Sequence, residues 1–320
     1  MPAKDKIYPI EEKTKDTTKI PQKIVSKNSW EDMIIDALDP ELQKQHKWND
    51  YEIIEELPSG SFGRVLVMKL TSNPNKIFVI KRVPYVSPSN KKSADEELKM
   101  LKFVQSKYTV RLIEQFADGI DLCIVMEYCI GGNLRGLIEE MKKWNEIDRK
   151  IKSYEIIFQV LMGLKVLHDL NIVHRDLKPE NIFIDQNGNL KMGDFGFAEK
   201  IASQFYIKTA GTKNYAPAEA HNFDKMTEKS DIWALAVIII EFLTGVHPYE
   251  GKTMDATISN IKTNKFAPLP EYIQGELRIM LLSMLNDDHI QRPSAVQLLD
   301  SELMQLLSRI EGSKEKRIIE

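Results

Sequence analysis

Cysteine is nearly missing from this chain: two in 320 residues, Cys123 and Cys129. Both fall on one short stretch that reads as a strand and its exit, which is poor geometry for a disulfide. They read as free thiols, as expected in a reducing compartment. Long apolar runs are missing as well. The longest, Ile232 to Ile240, is too short for a bilayer and ends at Glu241. Nor is there an excess of charge. Lys and Arg number 44 against 47 Asp and Glu, a net charge of −3, so no electrostatic case exists for nucleic acid or an anionic membrane as partner. The opening residues, Met1-Pro2-Ala3-Lys4-Asp5-Lys6, lack the apolar core of a secretory leader, and no internal repeat is visible. A soluble cytoplasmic protein is the expectation, with nuclear or cytoskeleton-associated pools compatible with it.

What is present is enough apolar material, 42% of the residues, to bury one large domain or two lobes. From Met1 to about Ser29 the chain mixes Lys, Glu, Thr and Pro without a sustained period, and reads as a disordered arm. Asp39-Pro40-Glu41-Leu42 has an N-cap followed by proline at the first helical position, the start of a short helix. Near Tyr51 the pattern turns to strands. Leu57-Pro58-Ser59-Gly60-Ser61-Phe62-Gly63-Arg64-Val65 reads as strand, tight turn and strand, and Phe78-Val79-Ile80-Lys81 supplies the next strand. Ala94 to Phe103 reads as a helix, and Leu122 to Cys129 as a strand that ends at Gly131-Gly132. Thereafter Tyr154, Ile157, Phe158, Leu161, Leu164 and Leu167 recur at helical spacing up to about His168.

The chemistry is concentrated between His174 and Gly196. Asp176, Lys178, Asn181 and Asp194 put two carboxylates, an ammonium and an amide within about twenty residues of chain. Carboxylate and amide oxygens suit a hard divalent cation. A second carboxylate orients a hydroxyl, and a lysine neutralises a phosphoryl group.

Those residues, in the order His174-Arg175-Asp176-Leu177-Lys178-Pro179-Glu180-Asn181 and then Asp194-Phe195-Gly196, resemble the catalytic loop and metal-binding motif of eukaryotic protein kinases. The resemblance runs from about Tyr51 to Leu307. Lys178, with Gly211-Thr212 further on, is similar to the serine/threonine class. Within that class the NimA-related kinases look closest, on Val79-Ile80-Lys81, Val125-Met126-Glu127-Tyr128-Cys129, Gly131-Gly132-Asn133-Leu134, Phe183 and Gly193. Glu180 stands where alanine is expected in that group.

The resemblance implies a two-lobed α+β kinase fold. An arm would occupy residues 1–50, the domain 51–308 (lobes 51–129 and 130–308), and a charged tail 309–320, frayed from Glu311. It implies ATP and Mg2+. Leu57, Pro58, Ser59, Gly60, Ser61, Phe62, Gly63, Arg64 and Val65 would lie over the nucleotide, with Pro58 in place of a first glycine. Val79, Met126 and Phe183 would line the adenine pocket, and the backbone of Glu127 and Cys129 would bond the adenine edge. Lys81 would contact the α- and β-phosphates, held by Glu97, with Glu96 as the register alternative. Asp176 would take the substrate hydroxyl proton, Lys178 would neutralise the moving phosphoryl group, and Asn181 and Asp194 would hold magnesium.

Further expectations follow from the same resemblance. Arg175 would pair with a phosphate on the activation segment, Asp194 to Glu219, with Thr209 as the regulatory site and Thr212 beside it. The bland alternative is that Lys208 takes the anion's place. His174, Phe195, Leu101 and Leu112 would stack through the core. Ala218 replaces the usual proline before Glu219, whose ion-pair partner would be Arg292. Asp231 would cap the catalytic loop. Glu180 and Glu241 would favour basic residues before the target hydroxyl, or serve structure alone. Partners would be proteins carrying Ser or Thr acceptors, met by a monomeric domain. A scaffold that keeps the fold without catalysis is the rival, and a small-molecule kinase a distant third.

Overall fold

The computed structural model describes residues 44–58, 63–201 and 206–319, with side chains through 312. The arm expected over 1–43 with its Asp39-Pro40 helix start, Ser59 to Phe62 among the residues expected over the nucleotide, residues 202–205 and Glu320 lie outside the described residues. An antiparallel sheet comes first: β1 (Tyr51–Leu57), β2 (Arg64–Leu70), β3 (Ile77–Pro84), β4 (Leu112–Asp118) and β5 (Asp121–Glu127), in the order β1-β2-β3-β5-β4. One face buries Leu66, Met68, Leu70, Phe78, Ile80, Cys123 and Val125, the alternate positions that a strand presents to one side.

Packing of this lobe starts upstream of Tyr51. Trp48 lies under the Arg82 guanidinium, 4.2 Å from its ring centre. His46 Nδ1 and the Tyr51 hydroxyl share Glu114 Oε1, at 2.8 and 2.5 Å.

Helix α1 (Pro88–Phe103) packs against β3. Ser87 accepts the Asn90 amide at 3.1 Å and Pro88 takes the first turn, so the helix begins earlier than the apolar pattern at Ala94 suggests. Its buried stripe is Ala94, Glu97, Leu98 and Leu101, the i, i+3, i+4, i+7 face of an amphipathic helix. A carboxylate therefore occupies a core position and must find a partner.

The second lobe is helical: α2 (Leu134–Met141), α3 (Glu146–Asp169), α4 (Ala218–Phe223), α5 (Glu228–Thr244), α6 (Met254–Lys262), α7 (Gly275–Met284), α8 (Ala295–Leu299) and α9 (Glu302–Ile319). Helix α5 is its axis. Every residue from Ser230 to Leu243 is buried, and each such large aliphatic side chain contributes roughly 1.5–3 kcal/mol. Thr227 and Ser230 cap its start reciprocally. Two short ladders hold the loops of the site: β6 (Ile172–Val173) with β9 (Glu199–Lys200), and β7 (Ile182–Ile184) with β8 (Leu190–Met192). One core cluster spans both lobes, from Leu98 and Leu101 through Phe195 to Met304.

The segment from Glu311, read from its charge as frayed, continues α9 instead. The Gln159 side-chain amide donates to Glu311 Oε1 at 2.8 Å and ties the helix to α3. That contact spans 152 residues, a distance at which composition is uninformative.

Candidate active site

The Glu97 carboxylate in the buried stripe of α1 meets Lys81 on β3. Nζ donates to Oε1 at 2.6 Å. Glu96, one residue earlier, turns outward towards Lys92, so the helical register separates the two candidates. Asp194 Oδ1 lies 3.6 Å from the same ammonium. Burial disfavours the charge on Lys81, but Glu97 and Asp194 outweigh it and hold the ammonium above its ordinary range. In register, Lys81 sits between Val65 of β2 and Ile124 of β5, and Val79 lies between Val67 and Met126. Leu57 pairs with Val65 at the turn end of the β1–β2 hairpin, Pro58 is exposed, and Arg64 pairs with Glu56 at 2.9 Å. Gly63 has φ +126°, and a Cβ there would sit 2.1 Å from the Arg82 carbonyl oxygen. Its glycine is required by the hairpin itself.

At the lobe connection, Glu127 is held from two sides. Its carboxylate accepts the Arg111 amide at 2.7 Å and pairs with buried Lys191 at 2.9 Å. The Cys129 carbonyl accepts Gly132 N–H at 3.1 Å, and burial raises the thiol of Cys129 well above its ordinary value. Both cysteines are free and buried. Phe183 packs over Gly193, where a Cβ would stand 2.9 Å from its ring.

The loop from His174 to Asn181 is fixed at its start by Asp231. Its two oxygens accept the His174 and Arg175 amides at 3.0 and 3.1 Å, and His168 Nε2 lies 2.9 Å away. The His174 and Phe195 rings are 5.4 Å apart, with Phe195 and Leu101 in the core and Leu112 against it.

Asp176 is 2% exposed and accepts from three neighbouring side chains and one backbone amide. Oδ1 accepts Thr212 N–H and its hydroxyl, each at 2.6 Å. Oδ2 accepts Lys178 Nζ at 2.8 Å and Asn181 Nδ2 at 3.0 Å. Lys178 also reaches Thr212 Oγ1 at 2.8 Å. The close approach depends on Gly211, at φ +84°, where a Cβ would meet the Arg175 carbonyl oxygen at 2.2 Å. Thr212, expected as a regulatory position, thus bonds the Asp176 carboxylate.

Arg175 is already engaged. It pairs with Glu199 at 2.8 Å and donates to the Phe197 and Lys208 carbonyls at 2.6 and 2.9 Å. The contact with Lys208 is through its backbone, not its side chain. Thr209 donates its hydroxyl to the Ala220 carbonyl and its amide to Asp224 Oδ1, both at 3.0 Å. Glu219 and Arg292 form a two-bond pair at 2.6 and 2.8 Å, undisturbed by Ala218 at the first turn of α4.

Among the contacts that sequence reasoning missed are Glu199 on Arg175, and Arg135 between Glu180 and Glu241. Glu199 carries no motif of its own. Arg135 had only the signal of a basic residue directly after Asn133-Leu134.

A family model described as the protein kinase domain matches residues 51–304. The chain belongs to the protein kinase family. Among curated relatives of this kinase domain, the serine/threonine-protein kinase Nek11 of Homo sapiens is 31% identical over 270 residues, covering 81% of this chain and 42% of its own length. The probable serine/threonine-protein kinase nek2 of Dictyostelium discoideum is 30% identical over 260 residues, 78% of this chain and 62% of its own. The G2-specific protein kinase nimA of Emericella nidulans is 29% identical over 293 residues, again 81% and 42%. The kinase chain thus spans less than half the length of the human relative. These are NimA-related proteins, the group to which the motifs in the sequence pointed.

Proposed function

We propose that this chain is a serine/threonine protein kinase that transfers the γ-phosphoryl group of Mg·ATP to Ser or Thr hydroxyls of protein substrates. The observation that carries the reading is the simultaneous assembly of both halves of the site. Lys81 is held at 2.6 Å by Glu97 while Asp194 stands 3.6 Å away, and Asp176 is oriented by four donors on the facing loop. A scaffold would have no need of these groups in register.

The residues fit the implied cofactor. The Asp194 side chain is 39% exposed, and Asn181 commits its Nδ2 to the carbonyl and carboxylate of Asp176. That leaves its carbonyl oxygen for a cation, and together the two residues offer hard oxygen ligands of the kind magnesium takes. Magnesium, when bound with ATP, neutralises phosphate charge. Lys81 presents its ammonium to the α- and β-phosphates and is kept charged by its two carboxylates. Asp176 fixes the acceptor hydroxyl and receives its proton, and Lys178, already beside Asp176, offsets the charge on the transferred group.

Transfer of γ-phosphate from Mg·ATP to a generic protein substrate tests this. Asp176→Asn is expected to lower the rate about a hundredfold or more. A wild-type chain that transfers nothing, yet melts higher with ATP and magnesium, would instead be a nucleotide-binding scaffold.

A further inference from the structure

Arg135 on α2 is the meeting point of three segments. Its Nε donates to Glu180 Oε1 at 2.7 Å, Nη1 to Glu241 Oε1 at 2.6 Å, and Nη2 to the Tyr215 hydroxyl at 2.6 Å. Tyr215 in turn donates to Glu241 Oε2 at 2.5 Å. All of these partners are anchored at the place of reaction or on the core helix behind it. Glu180 is two residues past Lys178, so its Cα lies within roughly 7 Å of that residue's. Tyr215 closes the short turn that begins at Thr212, the residue bonded to Asp176. Glu241 rises from α5.

The charges do not balance locally. Two carboxylates face one guanidinium, and Glu180 Oε2 is buried with no hydrogen-bond partner. Glu180 as a whole is the open side of the cluster, its side chain 41% exposed against 10% for Glu241. A planar fork with two carboxylates is the arrangement in which a protein receives an arginine. Here the chain supplies that arginine itself.

We infer that Arg135 is a specificity-determining residue: it fills a two-carboxylate receptor beside the acceptor site, and so prevents this kinase from selecting substrates with a basic residue near the phosphorylated Ser or Thr. The sequence expectation that Glu180 and Glu241 favour basic residues is thereby reversed by an internal competitor. Without Arg135 the same carboxylates, with Tyr215, become a receptor for an arginine or lysine of the substrate peptide. The inference rests on the serine/threonine kinase reading.

The test is phosphorylation of a peptide library in which each position around a fixed Ser/Thr is varied in turn, using the wild-type chain, Glu180→Gln, Arg135→Ala, and Arg135→Ala combined with Glu180→Gln. Wild type is expected to show no enrichment of Arg or Lys at any flanking position. Arg135→Ala is expected to gain about a tenfold preference for Arg at one position, and Glu180→Gln to remove most of that gain. Ratios within one enzyme preparation are unaffected by a lower active fraction. If Arg135→Ala does not fold, the wild-type profile still decides. An Arg or Lys preference in wild type that disappears in Glu180→Gln overturns the inference, because the carboxylates would then be serving substrate despite Arg135. An unchanged profile in folded Arg135→Ala overturns it too. No transfer to any peptide by the wild-type chain overturns the kinase reading itself, and this inference falls with it.

Discussion

Two of the buried ion pairs among the described residues, Glu219–Arg292 and Lys81–Glu97, differ in how completely they are closed. Glu219–Arg292 lies in the helical lobe with the arginine 1% exposed. Its Nη1 and Nη2 meet the two Glu219 oxygens, and Nε donates to the Asn286 carbonyl at 2.7 Å. Ser230 adds a hydroxyl to Glu219 at 3.1 Å. Lys81–Glu97 has one short bond, a second carboxylate too far for a full hydrogen bond, and a lysine side chain 12% exposed to the cleft. The closed pair has no capacity left for a ligand. The open pair keeps ammonium protons and a carboxylate available, which is what a phosphate site needs. The same chemistry is thus closed in one lobe and open in the other, according to how many of its donors are satisfied.

The comparison breaks most sharply at Arg292. Arg292→Ala leaves a carboxylate 5% exposed without its cation, and is expected to cost about 3–5 kcal/mol. Thermal or urea unfolding measures it, and an unchanged midpoint would mean that water reaches Glu219. Lys81→Met is expected to do the reverse. Phosphoryl transfer should fall about a hundredfold while the unfolding midpoint moves less than in Arg292→Ala, because the Lys81 side chain is 12% exposed against 1% for Arg292.

A third, smaller effect concerns His247, a closed but neutral group. Its Nδ1 accepts the Tyr249 amide at 3.2 Å and its Nε2 donates to the Asn214 carbonyl at 3.0 Å, an arrangement open only to the neutral ring. Burial lowers its pKa below the ordinary 6.5, against Glu241 and Glu250 which raise it, while Arg135 lowers it. As pH falls below 6.5, the unfolded chain takes up this proton before the folded one does, so stability declines with acid. His221, lowered chiefly by burial as well, acts in the same window. His247→Gln is expected to flatten part of that slope in unfolding curves taken between pH 7 and 5. An identical slope would show that His247 is not held neutral.

Much of the site was legible because its signals are local. Asp176, Lys178 and Asn181 fall within six consecutive residues, and their order is enforced by one turn of chain. Glu97 was harder, since only the helical stripe of Ala94, Leu98 and Leu101 separates it from Glu96. In the sheet, β4 was not marked as a strand. Its residues, Leu112-Ile113-Glu114-Gln115-Phe116-Ala117-Asp118, carry an irregular register against β5 that breaks simple alternation. The starts of α1 and α3 were set by capping residues, Ser87 and Asn145, upstream of the apolar periodicity used to find them.

The sequence by itself determined the residue types of the reaction, the two-lobed α+β plan, and the identity of the charges that must be paired once buried. These follow from hydrophobic pattern and from the cost of an unpaired charge, both of which act along the chain. Which pair is open and which is closed was decided only by tertiary structure. So was the use of Arg135, whose partners Glu180, Tyr215 and Glu241 lie 45, 80 and 106 residues away. The same holds for the seating of Arg175 on Glu199. An ion pair depends on distances of 3 to 4 Å, and at such separations in sequence only the packed fold brings the groups that close.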